Sequence, residues 1–455
     1  MKNITYKMAQ FTRELTFGDL STEVVDLAKR YLIDSIGCAY GGSRTEDVQI
    51  MLDFFNEMGG KTEASVFNSK QKIPMVNACL VNSLMIRALD YNDIYWEQDP
   101  SHPSDLIPAA LTPAEVLHRN GRELITAVVL AYEWEQRLCE FAIPGIRERK
   151  WHHATLTQFA APLVAGKILG LSEEQLVNAI GISASHNHTL GAVTAGKLTM
   201  MKNTVDPMAV RAGLFAALLA NRGYEGPEHV LDGKEGLVDT YGGQFDLDIL
   251  IDGLGDSFRI TRCSMKAFPT EALTHSPMSA VIKLMKKHNI NKKHISEVKI
   301  RTVARAADIL SDPSKYDPQT RETADHSLPY CIAATIVDGT VTPESFTEKK
   351  IFDPELRSYL NKIKVVADPE YEKTFPALKK AGVTITLENG PSFEIEVDYP
   401  LGDYREPMDD DTLMAKFDAM VLPHTGRGKR DQIVELIYDL DNLDDVSYLM
   451  ELLSK

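Results

Sequence analysis

The chain has 455 residues, 44% of them hydrophobic, enough apolar material for a large core without disulfide or metal staples. Its formal net charge of −16 speaks against general affinity for nucleic acid or anionic membrane. No stretch approaches the roughly 18 uninterrupted apolar residues of a membrane span, and Met1-Lys2-Asn3-Ile4-Thr5 lacks an apolar signal core, so a soluble, cytoplasmic protein of two or three domains is expected.

In chain order, residues 24–40 place Val25, Leu27, Tyr31, Leu32, Ile36 and Cys38 near helical spacing, and Gly41-Gly42 is a stop signal. Residues 123–138 repeat the pattern with Leu124, Val128, Val129, Ala131 and Tyr132. An apolar run at 160–169 ends at Gly170. Asp206-Pro207 then reads as the start of a helix that stops near Gly223, with Asp206 as its cap. After about residue 265 the pattern changes. Val298-Lys299-Ile300-Arg301-Thr302-Val303 alternates with period two, residues 363–366 are similar, and two alternating runs flank Asn389-Gly390, a hairpin signal. Helical patterns at 279–287 and 330–337 interrupt these strands, which predicts a small α+β domain near 265–400. The tail, 412–417 and 430–453, returns to helix and can pack on the first domain.

None of the five cysteines lies in a C-x-x-C pair, so reduced, buried thiols are expected rather than zinc or cluster ligands. The densest polar stretch is Leu89-Asp90-Tyr91-Asn92-Asp93 followed by Ser101-His102-Pro103-Ser104-Asp105. Pro100 and Pro103 force it out of helix, and a loop so rich in titratable groups suits general acid–base chemistry or, more simply, turns and caps. Lys150-Trp151-His152-His153 offers two imidazoles. On a helix they diverge by about 100°, so only one is expected to face a given site. His186 and His188 are spaced like a metal pair but lack a third ligand at useful spacing. Lys202, just ahead of the expected helix start, suits anion binding. Two later clusters are Lys266-Ala267-Phe268-Pro269-Thr270-Glu271 with His275, and Asp325-His326-Ser327 with Tyr330.

Taken in order, these clusters resemble the MmgE/PrpD family, which includes 2-methylcitrate dehydratases, cis-aconitate decarboxylases and an iminodisuccinate epimerase. The Asp90 and His102-Pro103-Ser104-Asp105 stretch resembles the family's first active-site loop. Met201-Lys202, Gly226-Pro227, a K-x-[FY]-P element at Lys266, a D-H-S-x-x-Y helix at Asp325 to Tyr330 with Asp338-Gly339, and a late turn from Gly402-Asp403 to Pro407-Met408 follow. The resemblance implies a mainly α fold: a large all-helical domain, 1–264 with 401–455, plus a smaller α+β lid domain, 265–400. It also implies a homodimer, and no metal or organic cofactor. It puts Asp90, His102, His152, Lys202, Lys266 and Tyr330 at active-site places, with His153 as the alternative to His152. Ile94 stands where many members have Thr, and Glu271 where decarboxylases resemble K-x-F-P-x-H. With the longer loop from Asn92 to His102, this looks closer to the dehydratases.

The expected chemistry is proton abstraction beside a carboxylate of a small polycarboxylic acid. Asp90, His102, His152 and Tyr330 are the catalytic candidates. Lys202 and Lys266, with Arg87 as a weaker helper and Glu271 nearby, are the substrate-binding ones, supplying positive charge against the −16 field. Dehydration of a 2-methylcitrate-like acid is the first expectation. Decarboxylation of a cis-aconitate-like acid and epimerisation of an iminodisuccinate-like acid are its rivals. A carboxylate-binding helical protein without catalysis is the rival of another class.

Overall fold

The computed structural model describes residues 3–195, 198–388 and 390–454. It divides into two compact units, one comprising Met1–Cys263 with Asp410–Lys455 and the other Ser264–Asp409. The fold is mainly α.

In the first unit the expected helical runs become Thr22–Gly42, Gly121–Glu140 and Ala154–Leu169, each longer than its sequence pattern. Ser21 caps the first of these by accepting the Val24 N–H, and an Asn120–Glu123 capping box starts the second. Helix Met201–Ala220 packs against Ala154–Leu169, Met75–Arg87 and Glu173–Ala184. A Cβ on Gly213 would lie 2.4 Å from the Ala161 Cβ, so glycine permits the close crossing with Ala154–Leu169. The unit is not all-helical: three two-stranded ribbons interrupt it, among them Tyr95–Trp96 with Pro100–Ser101. The tail forms helices Asp410–Val421, Arg427–Tyr438 and Ser447–Ser454, so the continuous run expected at 430–453 is broken.

One expected boundary moves in a way that matters for the site. The helix read as starting at Asp206 starts at Met201, with Pro207 inside it. Pro207 lacks only the N–H that would meet the Asn203 carbonyl, early enough in the helix to be tolerated. Lys202 therefore lies in the first turn rather than before the helix, and Asp206 is not a cap.

The second unit holds a four-stranded sheet in the order Ser392–Val397, Ala381–Leu387, Ile295–Thr302, Ile363–Ala367. The first two pairings are antiparallel and the last is parallel. Helices His275–His288 and Leu328–Asp338 pack in this unit, the latter capped by the Ser327 hydroxyl, which accepts the Tyr330 N–H. The expected hairpin pairs Thr386 with Ser392, while Asn389 lies outside the described residues. The unit runs to Asp409 rather than 400. Met265 N–H meets the Gly402 carbonyl at 2.9 Å, and Gly402 sits at φ +89 with space for no Cβ against the Met265 carbonyl.

Candidate active site

Asp90 follows the end of helix Met75–Arg87 in the left-handed region, φ +51, with its N–H on the Arg87 carbonyl at 2.9 Å. That conformation is uncommon outside glycine, though Asp tolerates it better than most residues. It turns the carboxylate back onto the chain. One oxygen takes an Arg87 guanidinium N–H and the other lies 2.7 Å from Lys202 Nζ. Arg87 Nε also faces Asp105 Oδ2 at 3.7 Å. Asn203 donates to the Ala88 carbonyl at 3.2 Å, pinning the start of one helix to the end of the other. The buried pair Arg87 and Asp90, three residues apart, thus meets half-buried Lys202 from more than a hundred residues along the chain.

The loop to His102 is knitted by its own polar groups. Asp93 accepts from Ser104 N at 3.1 Å and Ser104 Oγ at 2.7 Å, and Asn92 donates to Ser104 Oγ and to Asp105, both at 2.9 Å. Turn and cap work therefore accounts for Asn92 and Asp93. Burial pushes the Asp93 carboxyl up to about 7. The loop delivers His102, whose Nδ1 lies 2.6 Å from the Asp93 carbonyl. A carbonyl only accepts, so Nδ1 carries the proton and Nε2 the lone pair.

His152 and His153 precede helix Ala154–Leu169 instead of lying on it, so the expected divergence does not apply. Their rings sit 4.0 Å apart, and the His153 ring is 5.9 Å from that of His102. The Ala154 N–H donates to His152 Nδ1 at 3.2 Å, which places that ring's proton on Nε2. Burial, and then the neighbouring His153, hold the His152 imidazole well below the usual histidine range. His102 and His152 thus present opposite tautomers.

His153 Nε2 faces Asp206 Oδ1 at 3.3 Å. Asp206 stands four residues beyond Lys202, on the same face of their helix. The sequence reading missed this role because it placed the helix start at Asp206. A start at 201 would have put both side chains on one stripe. Among the described residues, His152, His153 and Asp206 also form a group whose ligand atoms lie within 4.8 Å, close enough to bridge a metal ion. Arg87 and Arg147 add positive charge there, which opposes a divalent ion. His188 lies 2.5 Å from the Tyr241 hydroxyl through one ring nitrogen and 2.7 Å from the Ala184 carbonyl through the other, so it serves local structure.

The second unit holds Lys266, Glu271 and Tyr330. Buried Lys266 donates from Nζ to the Thr270 carbonyl at 3.3 Å, and His275 Nε2 meets the same carbonyl at 3.2 Å. The Glu271 carboxylate accepts the Leu273 N–H at 2.7 Å and so caps a short helix. Tyr330 is fully buried beside Phe346, and its hydroxyl donates to the Ser345 carbonyl at 2.6 Å. Its proton is therefore engaged by a carbonyl of its own unit. Asp325 and His326 pair with each other at 2.5 Å.

The model of the MmgE/PrpD N-terminal domain matches residues 6–250, and that of the MmgE/PrpD C-terminal domain matches residues 268–440. The chain belongs to the MmgE/PrpD family. Relatives within reach of this family member include a cis-aconitate decarboxylase of Homo sapiens, 26% identical over 463 residues, covering 100% of this chain and 95% of that protein. A cis-aconitate decarboxylase of Aspergillus terreus is also 26% identical, over 99% of this chain and 96% of its own length. A mitochondrial 2-methylcitrate dehydratase of Yarrowia lipolytica is 23% identical over 94% of this chain and 86% of its own length. Among the described residues no helix is long and apolar enough to cross a membrane.

Proposed function

We propose that the chain is a lyase acting on a small di- or tricarboxylic acid by acid–base catalysis, first of all by dehydrating a 2-methylcitrate-like hydroxy acid. The observation that carries this reading is the pair of opposed tautomers, His102 with its lone pair on Nε2 and His152 with its proton there. Loss of water from a β-hydroxy acid needs that combination: a base for the proton beside the carboxylate, and a donor for the departing hydroxyl. His102 takes the proton and, as the imidazolium, gives it to the departing hydroxyl, which neutral His152 holds through its Nε2–H. The electron pair of the broken C–H bond forms the new double bond as water leaves.

The intermediate carries extra charge on the carboxylate. Lys202 and Arg87 stabilise it. Asp90 acts on the reaction through Arg87 and Lys202, whose side chains it aligns. Glu271 and the loop from Asn92 to His102 favour dehydration. Decarboxylation of a cis-aconitate-like acid is the second reading, favoured because relatives named as decarboxylases match 99–100% of the chain.

A homodimer is part of the proposal. Met201, Met208 and Phe215 recur every seven residues as an exposed stripe, and Arg211 over the Phe55 ring links it to helix Glu46–Met58, where Ile50, Phe54 and Met58 are exposed. Light scattering should return twice the chain mass. The five buried thiols fit a reducing, cytoplasmic setting.

The test is incubation of purified protein with citrate-like and succinate-like acids in deuterated water, read by mass spectrometry. Water loss supports dehydration, carbon dioxide loss the second reading, and deuterium exchange alone an epimerase. Binding without any of these makes the chain a carboxylate-binding protein and ends the proposal.

A further inference from the structure

His153 and Asp206 have no part in the reaction outlined above, yet they are buried in the middle of its groups. They come from distant elements: His153 immediately precedes Ala154–Leu169, and Asp206 lies in the second turn of Met201–Ala220. Nε2 and Oδ1 are 3.3 Å apart without the alignment of a hydrogen bond, and neither His153 Nε2 nor Asp206 Oδ2 has a hydrogen-bond partner among the described residues. A buried carboxylate in that state needs a cation beside it. Two cationic imidazoles 4.0 Å apart repel, so only one of His152 and His153 can hold the charge.

We propose that Asp206 is a positioning residue: by facing Nε2 of His153 it keeps that ring as the cation and so leaves His152 neutral, with its Nε2 proton directed to the substrate. The surrounding groups agree with this sorting. Arg87 and Arg147 add positive charge near His152, and His102 is held by the Asp93 carbonyl. Burial pushes Glu135 up to about 8 and Asp105 well above the carboxylate range. Asp99 is turned to the N–H groups of Ile146 and Arg147 at 2.8 and 3.0 Å. Asp206 differs from these. Burial alone would push its carboxyl up, but His153 beside it, with Arg87, outweighs this and holds it below the usual range.

The inference rests on the proposed reaction only for its effect on turnover, so the decisive test needs no substrate. The chain has 12 histidines, and ¹⁵N-histidine labelling of the whole protein at pH 7 reports the tautomer and charge of each. His153→Gln and His152→Gln assign the two rings. The expected result is a cationic ring that His153→Gln removes and a neutral Nε2–H ring that His152→Gln removes. Asp206→Asn should turn the His153 signal neutral, and Asp206→Glu should restore the cation. Turnover of the acid identified above should fall about ten- to a hundredfold in Asp206→Asn, with KM within about twofold and a changed pH profile.

A neutral His153 in the wild type overturns the proposal, as does a cationic one that persists in Asp206→Asn. Stoichiometric zinc in the purified protein, lost in Asp206→Asn, overturns it too by making the cluster a metal site. Should Asp206→Asn not fold, the wild-type and His153→Gln spectra decide alone. Absence of turnover on every acid, with the expected spectra, would refute the reaction and leave the charge sorting standing.

Discussion

In the first unit the polar side chains answer one another across long stretches of chain. Asp90 meets Lys202, His153 meets Asp206, and Arg87 faces Asp105 from another element. In the second unit the corresponding candidates stay close to home. Lys266 and His275 share the Thr270 carbonyl, Glu271 caps Leu273, and Tyr330 holds Ser345. Local bonds of the second kind explain themselves, because they satisfy backbone groups that folding has taken from water. Buried charges gathered from distant segments do not, since removing them from water is costly and local structure gains nothing in return. Such a cluster points to chemistry, and it lies in the helical unit.

The largest test of this contrast is His102→Ala. Turnover of the identified acid should fall by about two to four orders of magnitude, with little change in folded content by circular dichroism. A near-normal rate would remove His102 from the reaction.

Asp93 and Glu135 in the first unit and Asp403 in the second should also respond to pH with opposite sign. Asp93 is pushed up to about 7 and Glu135 to about 8 by burial. Both hold protons in the folded protein where the unfolded chain has released them. Their contribution to stability therefore falls as pH rises from about 4 towards 8, and is level above that. For Asp403 in the second unit, burial pushes up, but Arg405 and Lys379 prevail and hold it below the usual carboxylate range. Its contribution is present above the ordinary carboxylate pKa and lost as pH falls through the depressed value. Urea midpoints against pH should flatten on the neutral side in Asp93→Asn and on the acid side in Asp403→Asn.

Smaller effects sharpen the comparison. Arg87→Met removes the buried cation between Asp90 and Asp105 and should cost about 3–5 kcal/mol in urea unfolding. Tyr330→Phe leaves the Ser345 carbonyl unpaired and should cost about 1–3 kcal/mol, with far less effect on turnover than His102→Ala. A matching collapse of turnover would bring Tyr330 into the reaction and break the contrast. Glu271→Gln weakens one short cap and should cost about 1 kcal/mol or less, by the same unfolding measurement.

Much of the fold was legible because periodicity is a local signal. The alternation at 298–303 became strand Ile295–Thr302, and the pattern at 330–337 became helix Leu328–Asp338. Helix starts were harder: Asp206-Pro207 carries every mark of an N-terminus, yet packing extends the helix back to Met201. In the site, the family resemblance pointed to Asp90, His102, His152, Lys202, Lys266 and Tyr330 as candidates. It could not give their partners, because a pair such as Asp90 with Lys202 exists only once helix Met201–Ala220 is laid against helix Met75–Arg87. Nor could it tell a tyrosine whose hydroxyl serves a core carbonyl from one poised over substrate.

The central claim is that the helical unit moves a proton at the carbon beside a carboxylate. Deuterium incorporation at that carbon, followed in heavy water for wild type and His102→Ala side by side, measures it most directly. The account predicts incorporation by the wild type and a rate lowered at least about a hundredfold in the variant. Equal rates in the two proteins, or none with any of the polycarboxylic acids, would contradict it.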